Sequence, residues 1–161
     1  MPESSRLFVF TSDSLLSDSY SVTLIGNLNA FLSSWAAHGN PLFANSTLIS
    51  NRVLVISVDE SASSASGCSI DSLTNFIKSE GASSGIDFFN RSWVLYRNPL
   101  ADHANFTDDW KTEPLNEFWA RRKAGLINDD TQVLNTTVTT LTDARTNLVQ
   151  AFSDSWHASM W

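Results

Sequence analysis

The chain has few of the residues that several function classes require in number. Cys68 is the only cysteine among 161 residues, so neither an internal disulfide nor a metal site built from several cysteines can form. Three residues are lysine, and the 17 Asp and Glu residues outnumber the 10 Lys and Arg residues. Nucleic-acid binding depends on clustered cations, so we expect no nucleic-acid partner.

The chain also lacks long hydrophobic runs. No apolar stretch approaches the ~20 residues of a membrane-spanning helix, and no basic and apolar leader precedes a cleavage site. We therefore expect no membrane segment and, by default, a cytoplasmic protein. Hydrophobic residues make up 42% of the chain and aromatic residues 11%, which is enough to form a folded core.

The periodicity of apolar residues predicts an α+β fold. Alternating or continuous apolar runs predict strands, and apolar residues three and four apart predict helices. The predicted elements are a strand over 7–11, a helix over 21–37 stopped at His38 and Gly39, strands over 46–51 and 53–58, a helix from Ile70 to Gly81, and a strand over 86–97. This order is that of a ferredoxin-like split βαβ fold, an antiparallel sheet with two helices on one face.

The composition changes after Asn98 and Pro99. We expect residues 1–98 to form the α+β core domain, and residues 99–161 to form a connector and a C-terminal helical extension that packs on the core as one structural domain. The extension is predicted to hold a polar connector over 100–113, a helix from Pro114 to Lys123, a short strand within 131–141, and a final helix through Ala144, Leu148 and Phe152.

The segment from Val53 to Ser72 carries most of the candidate chemistry. Its apolar strand ends in Asp59 and Glu60, a pattern that a nucleotide hydrolase uses to hold magnesium and activate water. Such an enzyme also needs a glycine-rich loop with a Gly-Lys pair to hold the phosphates. No glycine of this chain is followed by lysine. The sequence therefore disfavours nucleotide hydrolysis.

Cys68 begins the second predicted helix, and Asp71 follows three residues later, as in an N-terminal capping arrangement. A helix N-terminus stabilises a thiolate, so Cys68 is a candidate nucleophile or redox sensor, with His38 as a base if the loops converge. The alternative is a structural role beside Gly67. The candidate cleft comprises Cys68, His38, Asp59, Glu60, Ser69 and Asp71.

No cofactor or metal is expected at this cleft. The oxygen and nitrogen ligands among its members show no spacing that is diagnostic of a metal site. We interpret Asp59 and Glu60 as a solvated strand end.

Several blocks of the sequence resemble a known family. They include Ala65–Ser72 (ASGCSIDS), Asp87–Arg91 (DFFNR) and the closing Ser155-Trp156-His157. In this order they are similar to a small bacterial family that is commonly labelled "ABC transporter ATPase", and the similarity spans nearly the whole chain. The label implies a nucleotide-binding function.

The sequence is compatible with three functions. The leading interpretation is a non-catalytic regulatory or protein-interaction domain, with a homodimer or a protein partner covering the C-terminal tryptophans Trp156 and Trp161. The second is a thiol-dependent enzyme or redox sensor that uses Cys68. The third is the nucleotide-binding ATPase that the family label implies, which the missing phosphate loop disfavours.

Overall fold

The structure is a computed structural model that describes residues 1–98 and 110–161. Its helices and strands are β1 (Arg6–Thr11), α1 (Asp18–Ser33), β2 (Ala36–Ala37), β3 (Asn40–Pro41), β4 (Phe43–Ile49), β5 (Val53–Asp59), α2 (Gly67–Ser84), β6 (Trp93–Arg97), β7 (Lys111–Pro114), α3 (Leu115–Lys123), β8 (Gln132–Leu134), α4 (Leu141–Asn147), β9 (Val149–Ala151), a 3-10 turn (Phe152–Asp154) and α5 (Trp156–Met160). The α+β class is confirmed.

The first sheet has the strand order β1-β5-β4, and both of its pairings are antiparallel. Strand β5 is central and almost entirely apolar, as the sequence predicts for a buried strand. One face of this sheet packs against α1 and α2. The buried residues of this first core include Leu24, Leu28, Leu32, Leu54, Ile56, Val58, Leu73 and Ile77.

The prediction that the first helix runs to Ala37 is wrong. Helix α1 ends at Ser33, and β2 and β3 form a short hairpin whose turn places His38 and Gly39 at positive φ. The reason is the burial of Trp35, whose indole N–H donates a hydrogen bond to the Ser69 carbonyl at 2.9 Å. His38 therefore lies in an exposed hairpin turn.

The predicted strand over 86–97 forms only in its second half. The side chain of Asp87 accepts a hydrogen bond from the Phe89 N–H, and that of Asn90 accepts one from the Ser92 N–H. Such local turns compete with strand pairing. Strand β6 begins at Trp93 and joins a second sheet of order β7-β6-β8-β9, which is also antiparallel.

The two sheets pack face to face and create a second core. Val53 of β5 and Leu95 of β6 are buried there together with Trp110 and Leu134. The other face of the second sheet is covered by α3, the 3-10 turn and α5, and Phe118 is at the centre of this third core. The molecule thus has four layers: two helices, the first sheet, the second sheet, and the C-terminal helices.

The region after residue 98 differs from the predicted connector and final helix. Residues 100–109 of the predicted connector lie outside the described residues, and residues 111–114 form β7. The predicted final helix is divided between α4, β9 and the 3-10 turn. The predicted helix after Pro114 is confirmed as α3, and a short strand, β8, lies within 131–141. The predicted boundary at residue 98 falls between β6 and β7, which pair within one sheet.

Candidate functional site

A groove of about 760 Å³ runs along the outer side of β1. Its lining comes from all of β1, one side of α2, the segment from Phe88 to Leu95, the chain over 136–139, and the aromatic pair Trp156 and His157. Because both sheets and both helical layers contribute residues, the groove exists only in the complete fold. It is a concave surface of the size that ligand sites have.

Strand β1 lies at the edge of the first sheet. Within residues 1–98 and 110–161, its outer side is paired only at its two ends. At the start, the Leu7 N–H donates to the Thr139 carbonyl at 2.8 Å. Just beyond the strand, the Asp13 N–H donates to the Asp87 carbonyl at 3.1 Å. The outer edge is thus closed at both limits of the groove.

Between these limits the backbone of β1 faces the groove. In an antiparallel strand, hydrogen-bonding directions alternate from residue to residue, so Val9 and Thr11 point outward as Leu7 does. Among the described residues, neither the Val9 nor the Thr11 N–H has a hydrogen-bond partner on that side. An unpaired strand edge of this kind is a template for a further strand.

The groove is cationic, although the protein carries a net charge of −7. Among the residues that the structure describes, its lining includes Arg6, Lys78 and Arg91 and no Asp or Glu. Arg6 forms an ion pair with Glu60 at 3.5 Å, whereas Lys78 and Arg91 have no carboxylate partner in the described ranges. The side chain of Lys78 lies 5.2 Å from the ring centre of Phe89. These charges favour an anionic ligand.

Trp156 and His157, the first two residues of α5, also line the groove. Their rings stack with centroids 3.8 Å apart. Trp156 is 40% exposed, whereas His157 is only 3% exposed and its Nδ1 has no hydrogen-bond partner among the described residues. Burial lowers the pKa of His157 to about 4, so the imidazole is neutral at physiological pH.

This burial makes stability depend on pH. Unfolded histidine takes up a proton near pH 6.5, while folded His157 does so near pH 4, so the unfolded state binds more protons between these values. We expect the free energy of unfolding of the wild type to fall, relative to that of His157→Phe, as pH is lowered from 6.5 to 4. Urea unfolding of both proteins at several pH values measures this difference. A constant difference over that range would contradict the buried neutral imidazole.

A second group of ionisable residues binds α3 to the second sheet. The Tyr96 hydroxyl donates to Glu113 Oε2 at 2.8 Å, and Arg121 Nε donates to the same carboxylate at 2.6 Å. Burial and then the hydrogen bond to Glu113 raise the pKa of Tyr96. Every group in this cluster has a partner, which is typical of a structural network.

The candidate cleft proposed from the sequence is distributed over three elements. Cys68 is exposed in the first turn of α2, as the sequence predicts. The helix cap, however, is Ser66, whose side chain accepts a hydrogen bond from the Ser69 N–H at 3.2 Å. Asp71 is exposed one turn after Cys68 and has no capping role. The reactivity of Cys68 stays a prediction.

Asp59 and Glu60 organise the loop after β5. The Ser61 N–H donates to Asp59 Oδ1 at 3.0 Å, and this hydrogen bond lowers the pKa of Asp59. Glu60 accepts from the Ala65 N–H at 2.9 Å. Within the described ranges, no three residues of the His, Cys, Asp and Glu types are grouped so that they could hold a metal ion.

Sequence reasoning did not identify the groove. Its cations are far apart along the chain, and each resembles an ordinary surface charge when it is considered alone. One sequence signal lay close to it, namely the aromatic C-terminal segment with Trp156, for which the sequence predicted a covering partner.

Comparisons with known proteins add no assignment, since no protein-family profile, curated protein or solved structure matches this chain. Within the described ranges, no helix has both the length and the hydrophobicity needed to cross a membrane.

Proposed function

We propose that this protein is a peptide-binding module that adds an extended, acidic segment of a partner protein to β1 as a further strand. The observation that carries the proposal is the gap in hydrogen bonding at Val9 and Thr11, inside a groove whose lining over residues 1–98 and 110–161 contains cations and no carboxylates. Strand addition is a recurrent mode of peptide recognition in which backbone hydrogen bonds supply affinity and side-chain pockets supply specificity.

The dimensions of the gap support this proposal. Leu7 and Asp13 are already paired, so the open stretch runs from Phe8 to Ser12, four steps of roughly 3.3 Å or about 13 Å. Four or five residues of an extended peptide would pair along that length. The peptide would pair with the outward N–H groups of Val9 and Thr11 and would place its carboxylates near Lys78 and Arg91.

The order of elements through α2 supports a ferredoxin-like origin for the first sheet, and we propose that kinship for the region before β6. The nucleotide-binding function that the family label implies would need a glycine-rich phosphate loop with a Gly-Lys pair, and no glycine of the chain is followed by lysine. A homodimer that uses Trp156 and Trp161 stays a prediction.

The proposal predicts saturable binding of a fluorescein-labelled acidic hexapeptide, measured by fluorescence anisotropy at 150 mM salt. We expect Lys78→Glu to weaken binding about tenfold or more, because an attraction of the kind that steers anionic ligands becomes a repulsion. Lys123→Glu is the matched control, since this exposed lysine at the end of α3 changes the net charge equally outside the groove.

Backbone N-methylation tests the strand geometry separately. In a bound strand only every second N–H faces β1. We expect methylation of one alternating set of peptide nitrogens to abolish binding, and methylation of the other set to leave it almost unchanged. Equal effects of the two sets, or equal weakening by Lys78→Glu and Lys123→Glu, would contradict strand addition in this groove.

A further inference from the structure

The two walls of the groove differ in chemistry, and the difference follows from the alternation of β1. Phe8 and Phe10 face the core formed with α1 and α2, whereas Val9 faces the core between the two sheets. A strand added beside β1 would alternate in the same way, because successive side chains of a strand point to opposite faces. Every second ligand residue would therefore contact the same wall.

The wall on the α2 side is cationic and polar. Lys78 and Thr74 of α2 lie on it, and Lys78 is exposed with its ammonium near the Phe89 ring. At the start of β1, the Arg6 guanidinium lies 4.9 Å from the ring centre of Phe8 and pairs with Glu60 at 3.5 Å. A carboxylate that reaches this wall therefore meets chiefly the ammonium of Lys78 beside the Phe89 ring.

The opposite wall is apolar. Trp93 of β6 and Leu115 of α3 contribute partly exposed apolar side chains, whereas Leu95, Leu134 and Val138 also line it but are almost fully buried. Trp156 of α5 adds a partly exposed indole ring to this wall. A branched aliphatic side chain would bury its surface here, whereas a charged one would lose its hydration without gaining a partner.

We infer that the ligand is a segment in which acidic and apolar residues alternate at every second position, with the acidic set towards α2 and the apolar set towards the second sheet. This inference rests on the proposed strand addition and specifies which sequences that site selects. A groove that recognised charge alone would bind any acidic segment. Because its two walls differ, this groove would prefer segments in which acidic and apolar residues alternate.

Two hexapeptides of equal composition and charge distinguish the effect of residue order from that of net charge. One has the alternating sequence Asp-Val-Asp-Val-Asp-Val, the other has the block sequence Asp-Asp-Asp-Val-Val-Val, and both carry blocked ends and the same fluorescein label. We expect the alternating peptide to bind the wild-type protein at least tenfold more tightly in anisotropy titrations at 150 mM salt.

A charge exchange tests which wall recognises the acidic set. We expect the Lys78→Glu variant to bind the alternating Asp-Val peptide more weakly than the Lys123→Glu control does. We also expect it to bind a third peptide, Lys-Val-Lys-Val-Lys-Val, more tightly than the control does. Equal binding of the alternating and block peptides, with the effect of Lys78→Glu retained, would overturn the alternation and leave strand addition standing. Failure of both Asp-Val peptides, alternating and block, to bind the wild type would overturn the proposed function and this inference with it.

Discussion

Replacing Phe118 with alanine is expected to cost about 3–5 kcal/mol of stability, the largest effect of any single change considered. Phe118 is fully buried in the third core, and its ring centre lies within 6.0 Å of those of Tyr96, Trp119, Phe152 and His157. The substitution removes the centre of an aromatic cluster and leaves a cavity between α3, α5 and the second sheet. Since the total free energy of unfolding of a domain is roughly 5–15 kcal/mol, this substitution would remove much of the stability.

Phe43→Ala provides the matched control for this prediction. Phe43 begins the edge strand β4 and is 63% exposed, so its removal should change the free energy of unfolding by less than about 1 kcal/mol. Urea denaturation of the two variants measures the comparison. Similar losses in both proteins would show that the C-terminal helices do not form the packed layer described above.

The second large effect concerns Gly81 in α2. A Cβ atom at this position would lie 2.4 Å from the carbonyl oxygen of Ile86 and 3.3 Å from the ring of Phe88. The backbone of the segment that leads into the groove wall would have to move. We expect Gly81→Ala to destabilise the protein by about 1–3 kcal/mol, as overpacking usually does.

Gly26→Ala is the control, since this glycine lies inside α1 and no atom outside its own helix would lie within 4 Å of an added Cβ. Alanine is favoured over glycine in a helix interior by about 0.5–1 kcal/mol, so this variant should be stabilised. Replacing glycine with alanine is thus expected to lower the free energy of unfolding in α2 and to raise it in α1. Thermal unfolding of both variants tests this, and stabilisation by Gly81→Ala would contradict the close approach of Ile86 to α2.

Local sequence signals predicted the elements whose determinants are close together along the chain. The apolar run of β5, the periodic apolar residues of α2 and the Pro114 at the start of α3 each produced the predicted element. The end of α1 was predicted wrongly because Trp35 is held by a residue 34 positions away, through its hydrogen bond to the Ser69 carbonyl. No local pattern contains that contact.

The candidate site was even less accessible to sequence reasoning. Cys68 was predicted correctly at the beginning of α2, because a glycine and a polar loop precede a periodic run. The groove depends instead on β1 remaining at a sheet edge, and this in turn depends on β6 joining the second sheet. Which strand pairs with which is a tertiary property, and the turns at Asp87 and Asn90 that separate β6 from the first sheet are only weak signals.

Residue-resolved amide hydrogen exchange by NMR tests the central claim most directly. In the free protein, the Val9 and Thr11 amides should exchange much faster than those of Phe8 and Phe10, which point towards β5. On saturation with the alternating Asp-Val hexapeptide, exchange at Val9 and Thr11 should slow at least tenfold, while exchange at Phe8 and Phe10 changes little. Saturable binding that leaves Val9 and Thr11 unprotected would contradict the addition of a strand to β1.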